Sequence, residues 1–241
     1  MNCTWNQGTI PFMASYSKSF PKSKLLGNRD KYLLTLVKNK RVVHIGCTDW
    51  PNQIEQIQNG SLLHSKLREH AVSIAGVDVD ADGINHLSNI FPSDLFFCGD
   101  ISNSILLQEQ IIELKPEVIL VPDVLEHIEN QREFLSGLYS ILVQTEATAY
   151  ITTPNAFALK TFLPLFIGKD FTHVDHCLIH NEFTLIHALQ DSKFKEIKIN
   201  YFARDISGRY GLLAQAISAP IDTISKFFPR FGDTLVAEIR P

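Results

Sequence analysis

Residues Arg41 to Cys47, Arg-Val-Val-His-Ile-Gly-Cys, join a β-branched apolar run to a glycine, the pattern of a buried strand that turns sharply where its sheet ends. Three later segments repeat the plan. Ile74 to Asp78 ends in Gly-Val-Asp, a third stretch ends in Cys98-Gly99-Asp100, and Glu117 to Val121 runs into Pro122-Asp123-Val124-Leu125-Glu126-His127. Four successive apolar strands thus carry glycine or polar residues at their carboxyl ends. Open α/β sheets bind ligands at that edge, so the pattern constrains both the fold class and the place of the chemistry.

The segments around these strands read as helices and further strands. Tyr32, Leu33, Leu36 and Val37 give Arg29 to Asn39 a helical period. Ser102 or Ser104 starts a helix bearing Leu107, Ile111 and Leu114, with Pro116 close behind its end. Asn130 followed by Glu133 resembles a capping box ahead of Phe134, Leu138, Ile141 and Leu142. Strands are expected again at Ala147 to Thr152, Glu196 to Phe202 and Thr234 to Ile239, and such alternation argues for a parallel sheet with helices on both faces.

One unit departs from the plan. Gly46 and Asp78 lie 32 positions apart, against roughly 20 in a dinucleotide-type βαβ unit. Trp50-Pro51 opens a polar segment that reaches Asn59-Gly60-Ser61, where Ser61 is placed to cap a helix through about Glu69. An inserted loop or short extra helix after the glycine turn accounts for the surplus. Residues 1–30 read as an amino-terminal arm with Lys18, Lys22 and Lys24 in it, and residues 31–241 as one domain.

Composition narrows the function. A chain of 241 residues that is 45% hydrophobic buries a full single core. Its 22 basic and 26 acidic residues give a net charge of -4, which argues against a whole-protein attraction to nucleic acid. Cys3, Cys47, Cys98 and Cys177 form no Cys-x-x-Cys pair, so neither a disulfide framework nor a zinc ribbon is indicated. No apolar run reaches the roughly 18 residues of a membrane span and no signal-peptide core is evident; a soluble, cytoplasmic protein is expected.

From about Lys40 to Asp205 the order of these motifs resembles the class I S-adenosylmethionine-dependent methyltransferases, particularly the small-molecule O-methyltransferase branch. The resemblance implies a Rossmann-like α/β fold: a seven-stranded, mostly parallel sheet with an antiparallel last strand. It also implies S-adenosylmethionine as cofactor, S-adenosylhomocysteine as product and a small-molecule hydroxyl as acceptor. The Gly-Cys-Thr-Asp-Trp-Pro turn looks like that of methyltransferases in polysaccharide biosynthesis, which suggests a carbohydrate or glycan precursor. No Asn-Pro-Pro-Tyr or Asp-Pro-Pro-Tyr follows the fourth strand, so the chain does not resemble enzymes that methylate nucleic-acid bases or glutamine side chains. Because the glycine turn is divergent, a non-catalytic cofactor-binding or regulatory protein of the same fold is the alternative.

The same resemblance assigns residues. Gly46 lets the backbone approach the cofactor, and Cys47, Thr48, Asp49 and Trp50 stand where relatives carry further glycines. Asp78, with Val79 beside it, is placed to accept hydrogen bonds from the ribose hydroxyls; Asp80 is the competing carboxylate but more naturally caps the next helix. Asp100 is expected near the adenine amino group with Ile101 beside the ring, or else as a helix cap. Asp123 and Val124 line the methionine and acceptor pockets. His127 serves as general base or holds a loop. In Phe171-Thr172-His173-Val174-Asp175-His176-Cys177, His173 and His176 are further catalytic candidates. The spacing of His173, Asp175, His176 and His180 matches no standard zinc signature, and methyl transfer needs no metal, so none is expected. Asn155 reads as a turn residue, His44 as a satisfied buried histidine, and Tyr210 to Phe228 as core, lid or partner surface.

Overall fold

The computed structural model describes residues 23–169, 172–203 and 223–241. Its strands are β1 (Leu25–Leu26), β2 (Arg41–Ile45), β3 (Ser73–Asp78), β4 (Leu95–Cys98), β5 (Val118–Pro122), β6 (Thr148–Pro154), β7 (Glu196–Phe202) and β8 (Thr234–Arg240). They form one sheet in the order β1-β7-β8-β6-β5-β2-β3-β4. Strand β8 runs antiparallel to β6 and β7, and every other pair is parallel. The expected antiparallel last strand is therefore present.

Among the described residues the sheet has eight strands where seven were expected. The addition is β1, which lies within the segment read as an arm and pairs Leu25 with Tyr201 and Leu26 with Phe202. Two residues carry no periodicity to read. Their place is fixed instead from outside, by the Asn200 side chain accepting from Lys24 N at 3.0 Å and by Lys24 O accepting from Tyr201 N at 2.9 Å.

The helices are α1 (Arg29–Val37), α2 (Gln53–Gln58), α3 (Leu63–Arg68), α4 (Ala81–Ile90), α5 (Ile105–Glu113), α6 (Gln131–Thr145), α7 (Leu159–Phe162) and α8 (Glu182–Asp191). Side-chain caps set several starts. Asp80 accepts from Gly83 N at 2.7 Å, Ser104 from Leu107 N at 3.2 Å, and Asn181 and Thr184 form a reciprocal capping box. The extra 32-position unit is filled by α2 and α3, as the spacing required. Ser61 does not cap α3: its N–H donates to Asn59 Oδ1 in a tight turn, and Leu62 holds the cap position.

Strand residues alternate between two helix layers, which is why parallel strands read as continuous apolar runs. Val43, Ile45, Ala75, Val77, Ile119 and Val121 pack with residues of α5, α6 and α8. Val42, Ile74, Val118 and Leu120 face the other way, onto Leu33 and Val37 of α1 and Leu67 of α3. The chain moves outward from β2 through β3 to β4 and returns to β5 on the other side of β2. That reversal opens a crevice at the carboxyl ends of β2 and β5, the usual ligand position of such sheets.

Among the described residues no helix is long and apolar enough to cross a membrane. Residues 1–22 of the arm, Phe171, and most of Tyr210 to Phe228 lie outside the described residues.

Candidate active site

At the end of β2 the backbone of Gly46 adopts φ +76°, and a Cβ added there would lie 2.2 Å from Val124 Cγ2. Only glycine permits both the turn and the approach of the β5 loop. Gly46 N and Cys47 N both donate to Val77 O, which binds the turn to β3. The Cys47 side chain points inward, 1% exposed, so Cys47 belongs to the core rather than to the crevice.

The Asp78 carboxylate is organised by the loops that flank it. Thr48 N donates to Oδ2 at 2.9 Å and Asp80 N to Oδ1 at 3.1 Å. Each oxygen keeps further acceptor capacity, which suits two vicinal hydroxyls. Asp80 caps α4 as anticipated. Val79 is exposed beside Asp78, and Trp50 leans on His86 of α4 with ring centroids 5.6 Å apart. Buried Gln53 of α2 donates to Gly83 O at 3.0 Å, tying the inserted helix to the start of α4. Asp49, exposed, accepts from Asn52 and Gln56 of that same insertion.

After β4, Asp100 Oδ1 accepts from Ser102 N at 2.8 Å in a local turn, while Ser104 caps α5. Ile101 is 1% exposed and packed in the main core, so its side chain does not reach the edge where a ring would lie. This departs from the expected stacking position.

Asp123 closes β5 in the left-handed region, φ +52°. Aspartate tolerates that conformation, and here it is held from both ends. Asp123 N donates to Thr152 O, the Thr152 hydroxyl donates to Oδ1 at 2.9 Å, and Arg29 pairs with Oδ2. Arg29 also meets Asp30, whose carboxylate pairs with Lys66 at 2.9 Å. The sequence offers no sign that Arg29 reaches the crevice: it is 94 positions from Asp123 and stands at the start of the first expected helix.

Beyond Asp123 a short 3-10 turn, Leu125–His127, brings Glu126 and His127 against the loop after α7. Cys177 N donates to Glu126 O at 2.7 Å, and His127 Nδ1 lies 3.2 Å from Asp175 O. A carbonyl only accepts, so Nδ1 of His127 carries a proton, and in the neutral ring the lone pair lies on Nε2. The His127 and His176 rings meet edge to face with centroids 4.9 Å apart, and His173 is 5.5 Å from His176. All three catalytic candidates are thereby gathered in one place. Burial first, then His127 and His173, holds His176 below its ordinary value. Glu126 is 1% exposed, and burial pushes its carboxyl up to about 7.

A buried pair holds this junction, of which the sequence singles out His180 only in a metal reading and gives no sign of Gln131. Gln131 Nε2 donates to Leu125 O at 2.7 Å, and Gln131 Oε1 lies 2.7 Å from His180 Nε2. His180 O in turn accepts from Ala156 N at 2.8 Å, while Asn155 takes Phe157 N on Oδ1 and donates to Arg230 O and Gly232 O. Asn155 is thus a turn residue, as expected, and also a brace for the carboxyl-terminal strand. Two clefts of about 600 and 400 Å³, lined in part by Arg41 and Pro116, open at the opposite, amino ends of the strands. They are remote from the crevice.

No protein-family model matches the chain, and no curated protein matches it. Solved structures do. A SAM-dependent methyltransferase from Archaeoglobus fulgidus matches with TM-score 0.52 and 18% identity over 88% of this chain and 90% of that one. The fold is that of the S-adenosylmethionine-dependent methyltransferases. A second such protein, from Mesorhizobium loti, matches with TM-score 0.51 and 14% identity over 88% of this chain and 95% of that one. The small RNA methyltransferase HEN1 matches with TM-score 0.55 and 16% identity over 88% of this chain and 24% of that one. In this methyltransferase fold the Gly46 turn, Asp78 and the histidine cluster occupy the carboxyl edge on both sides of β2.

Proposed function

We propose that the chain binds S-adenosylmethionine along the carboxyl ends of β2 and β3 and transfers its methyl group to a hydroxyl of a small molecule, with a sugar or glycan precursor as acceptor. The observation that carries this reading is the convergence of a side-chain-free turn, a doubly oriented carboxylate and three histidines at one crevice. Gly46 leaves the space that a Cβ would fill, and Asp78 retains lone pairs on both oxygens. Thr48, Asp49, Trp50 and Val79 form the rim beside them, Asp100 the adenine side, and Asp123 with Val124 the wall toward the acceptor. Bound there, the cofactor supplies a methyl group on an activated sulfonium. The chain's own residues orient the acceptor oxygen and take its proton. His127 suits the second task because its Nδ1 is committed to the Asp175 carbonyl, so in the neutral ring Nε2 is the nitrogen that can accept a proton. The net charge of -4 favours a small acceptor over a polyanion. Soluble cytoplasmic placement and the one-domain division at about residue 31 belong to the same reading.

Two measurements test it. Calorimetry with S-adenosylhomocysteine is expected to give saturable binding that Asp78→Ala weakens roughly 10-fold or more, since charge-assisted hydrogen bonds contribute on the order of 1.5 to 3 kcal/mol. Unchanged affinity in a folded variant removes Asp78 from the site. Transfer of labelled methyl groups is then followed over sugars, phenols and a small RNA. His127→Ala is expected to lower transfer roughly 100-fold with cofactor affinity nearly intact. Cofactor binding with no transfer to any acceptor would instead support the non-catalytic alternative.

A further inference from the structure

We infer that Glu126, His127 and His176 form a binding site for one divalent transition-metal ion, set at the acceptor side of the crevice. One ligand atom from each of these residues lies within 4.8 Å of the others. An ion with bonds of about 2.0 to 2.2 Å would hold opposed ligands roughly 4.2 Å apart, so small rotamer movements close the set. The expectation of no metal rests on linear spacing and on methyl transfer needing none. Glu126 and His127 are adjacent but His176 is 49 positions beyond His127, a separation that fits no sequence signature and is bridged only by the loop packing.

Independent observations point to a ligand rather than a structural cluster. Glu126 is almost wholly buried, yet among the described residues its Oε2 makes no hydrogen bond of normal geometry, and the neighbouring Thr153 hydroxyl is likewise buried without one. His176 Nδ1 is likewise buried and unpaired. Native proteins seldom leave such atoms unsatisfied, because each forfeits its hydration without replacement. Among the described residues the Glu126 side chain makes no ion pair, and Arg29 at the same crevice is engaged by Asp123 and Asp30. His127 meanwhile shows the arrangement of a metal ligand, with Nδ1–H fixed on the Asp175 carbonyl and Nε2 free. The edge-to-face setting of the His127 and His176 rings keeps them from stacking and lets nitrogen lone pairs, which lie in the ring planes, converge.

Two imidazoles and one carboxylate suit Mn²⁺, Fe²⁺, Co²⁺ or Zn²⁺ better than Mg²⁺ or Ca²⁺, which prefer all-oxygen shells. Three protein ligands leave open positions. An acceptor oxygen occupying one of them would bind its proton less tightly, which deepens the proposed hydroxyl chemistry and rests on it. Gln131 and His180 are positioning residues here: they lock the Leu125 carbonyl and hence the turn that presents Glu126 and His127.

The test uses tag-free, full-length protein stripped with chelator. Titration with Mn²⁺, followed by calorimetry and by loss of the free-ion magnetic resonance signal, is expected to show one site per chain. Co²⁺ should give visible bands of an imidazole-carboxylate site. Glu126→Gln and His176→Ala should each weaken Mn²⁺ at least 10-fold, Gln131→Leu by 10-fold or more, and His70→Ala, at an exposed histidine distant in the chain, not at all. Circular dichroism and S-adenosylhomocysteine affinity are recorded for every variant. If Glu126→Gln fails to fold, His176→Ala at its half-buried ring decides alone. Absence of a one-to-one site in the wild type, or equal affinity in folded Glu126→Gln and His176→Ala, overturns the metal site. Metal binding without S-adenosylhomocysteine binding leaves this site standing and defeats the methyltransferase reading instead.

Discussion

Gly46→Ala is expected to abolish measurable binding of S-adenosylhomocysteine and to lower global stability by about 2 to 5 kcal/mol. Two costs combine. A non-glycine residue at φ +76° is strained by roughly 1 to 2 kcal/mol, and the new methyl would sit 2.2 Å from Val124 Cγ2. Relieving such overpacking typically costs about 1 to 3 kcal/mol. Val124 cannot retreat freely, because Asp123 before it is bound to Thr152 and Arg29, and Leu125 after it is fully buried and tied to Gln131. The displaced part must therefore be the Gly46 turn, which carries Thr48 N to Asp78. Chemical denaturation gives the stability and calorimetry the affinity. A rescue variant, Gly46→Ala with Val124→Ala, removes the colliding methyl and should recover part of the stability, whereas the φ penalty stays. A folded Gly46→Ala protein that binds as the wild type does would place the cofactor elsewhere.

The parts of this site that the sequence makes legible are local ones. Strands β2, β3 and β5 announce themselves because they are buried on both faces, and their glycine or polar ends mark the crevice edge. Caps Asp80 and Ser104 are local, since a side chain reaching three residues ahead leaves its partner in view. The crevice itself is assembled by pairs far apart in the chain: Arg29 with Asp123, Gln131 with His180, Glu126 with the loop at His176. No local pattern encodes them. Cys47 and Ile101 show the other failure. Each follows a strand end by two or three residues, where rotation of the backbone decides whether a side chain faces ligand or core, and both face the core.

His44, which the sequence presents as a satisfied buried histidine, is satisfied on one ring nitrogen only, and it sets the second large effect. His44 Nδ1 pairs with His64 Nδ1 at 3.2 Å, their rings stacked 5.4 Å apart and 10° from parallel, but His44 Nε2 is buried without a partner. Two ring nitrogens share one proton only if at least one of the rings is neutral. Burial holds His44 well below its ordinary value, helped by His64 and Arg29. Burial also lowers His64, but Asp94, 3.8 Å from its Nε2, works against the shift. Asp94 itself feels burial pushing it up, yet His64 and Arg68, the latter at 2.7 Å, outweigh that and hold it well below the usual carboxylate range.

The sign follows from proton counting. A histidine kept neutral in the fold but free to titrate near 6.5 when unfolded means the unfolded chain binds more protons below that pH, so stability falls as pH falls. Above about 7 the effect vanishes. At pH 5 each histidine that remains neutral in the fold removes about 2 kcal/mol, so the pair removes at most about 4 kcal/mol, with His44 the larger share because no carboxylate opposes its shift. Denaturant unfolding at pH 7.5 and 5 measures the loss. His176 and His180, also lowered by burial, add to the wild-type slope, so the decisive comparison is with His44→Leu/His64→Met, which replaces both partners by apolar side chains and leaves no imidazole nitrogen unpaired. That variant should be clearly less sensitive to acid than the wild type while matching it more closely at pH 7.5. An identical acid slope in the two proteins would mean that the pair accepts its proton inside the fold, through Asp94, and that the buried Nε2 of His44 is reached by water.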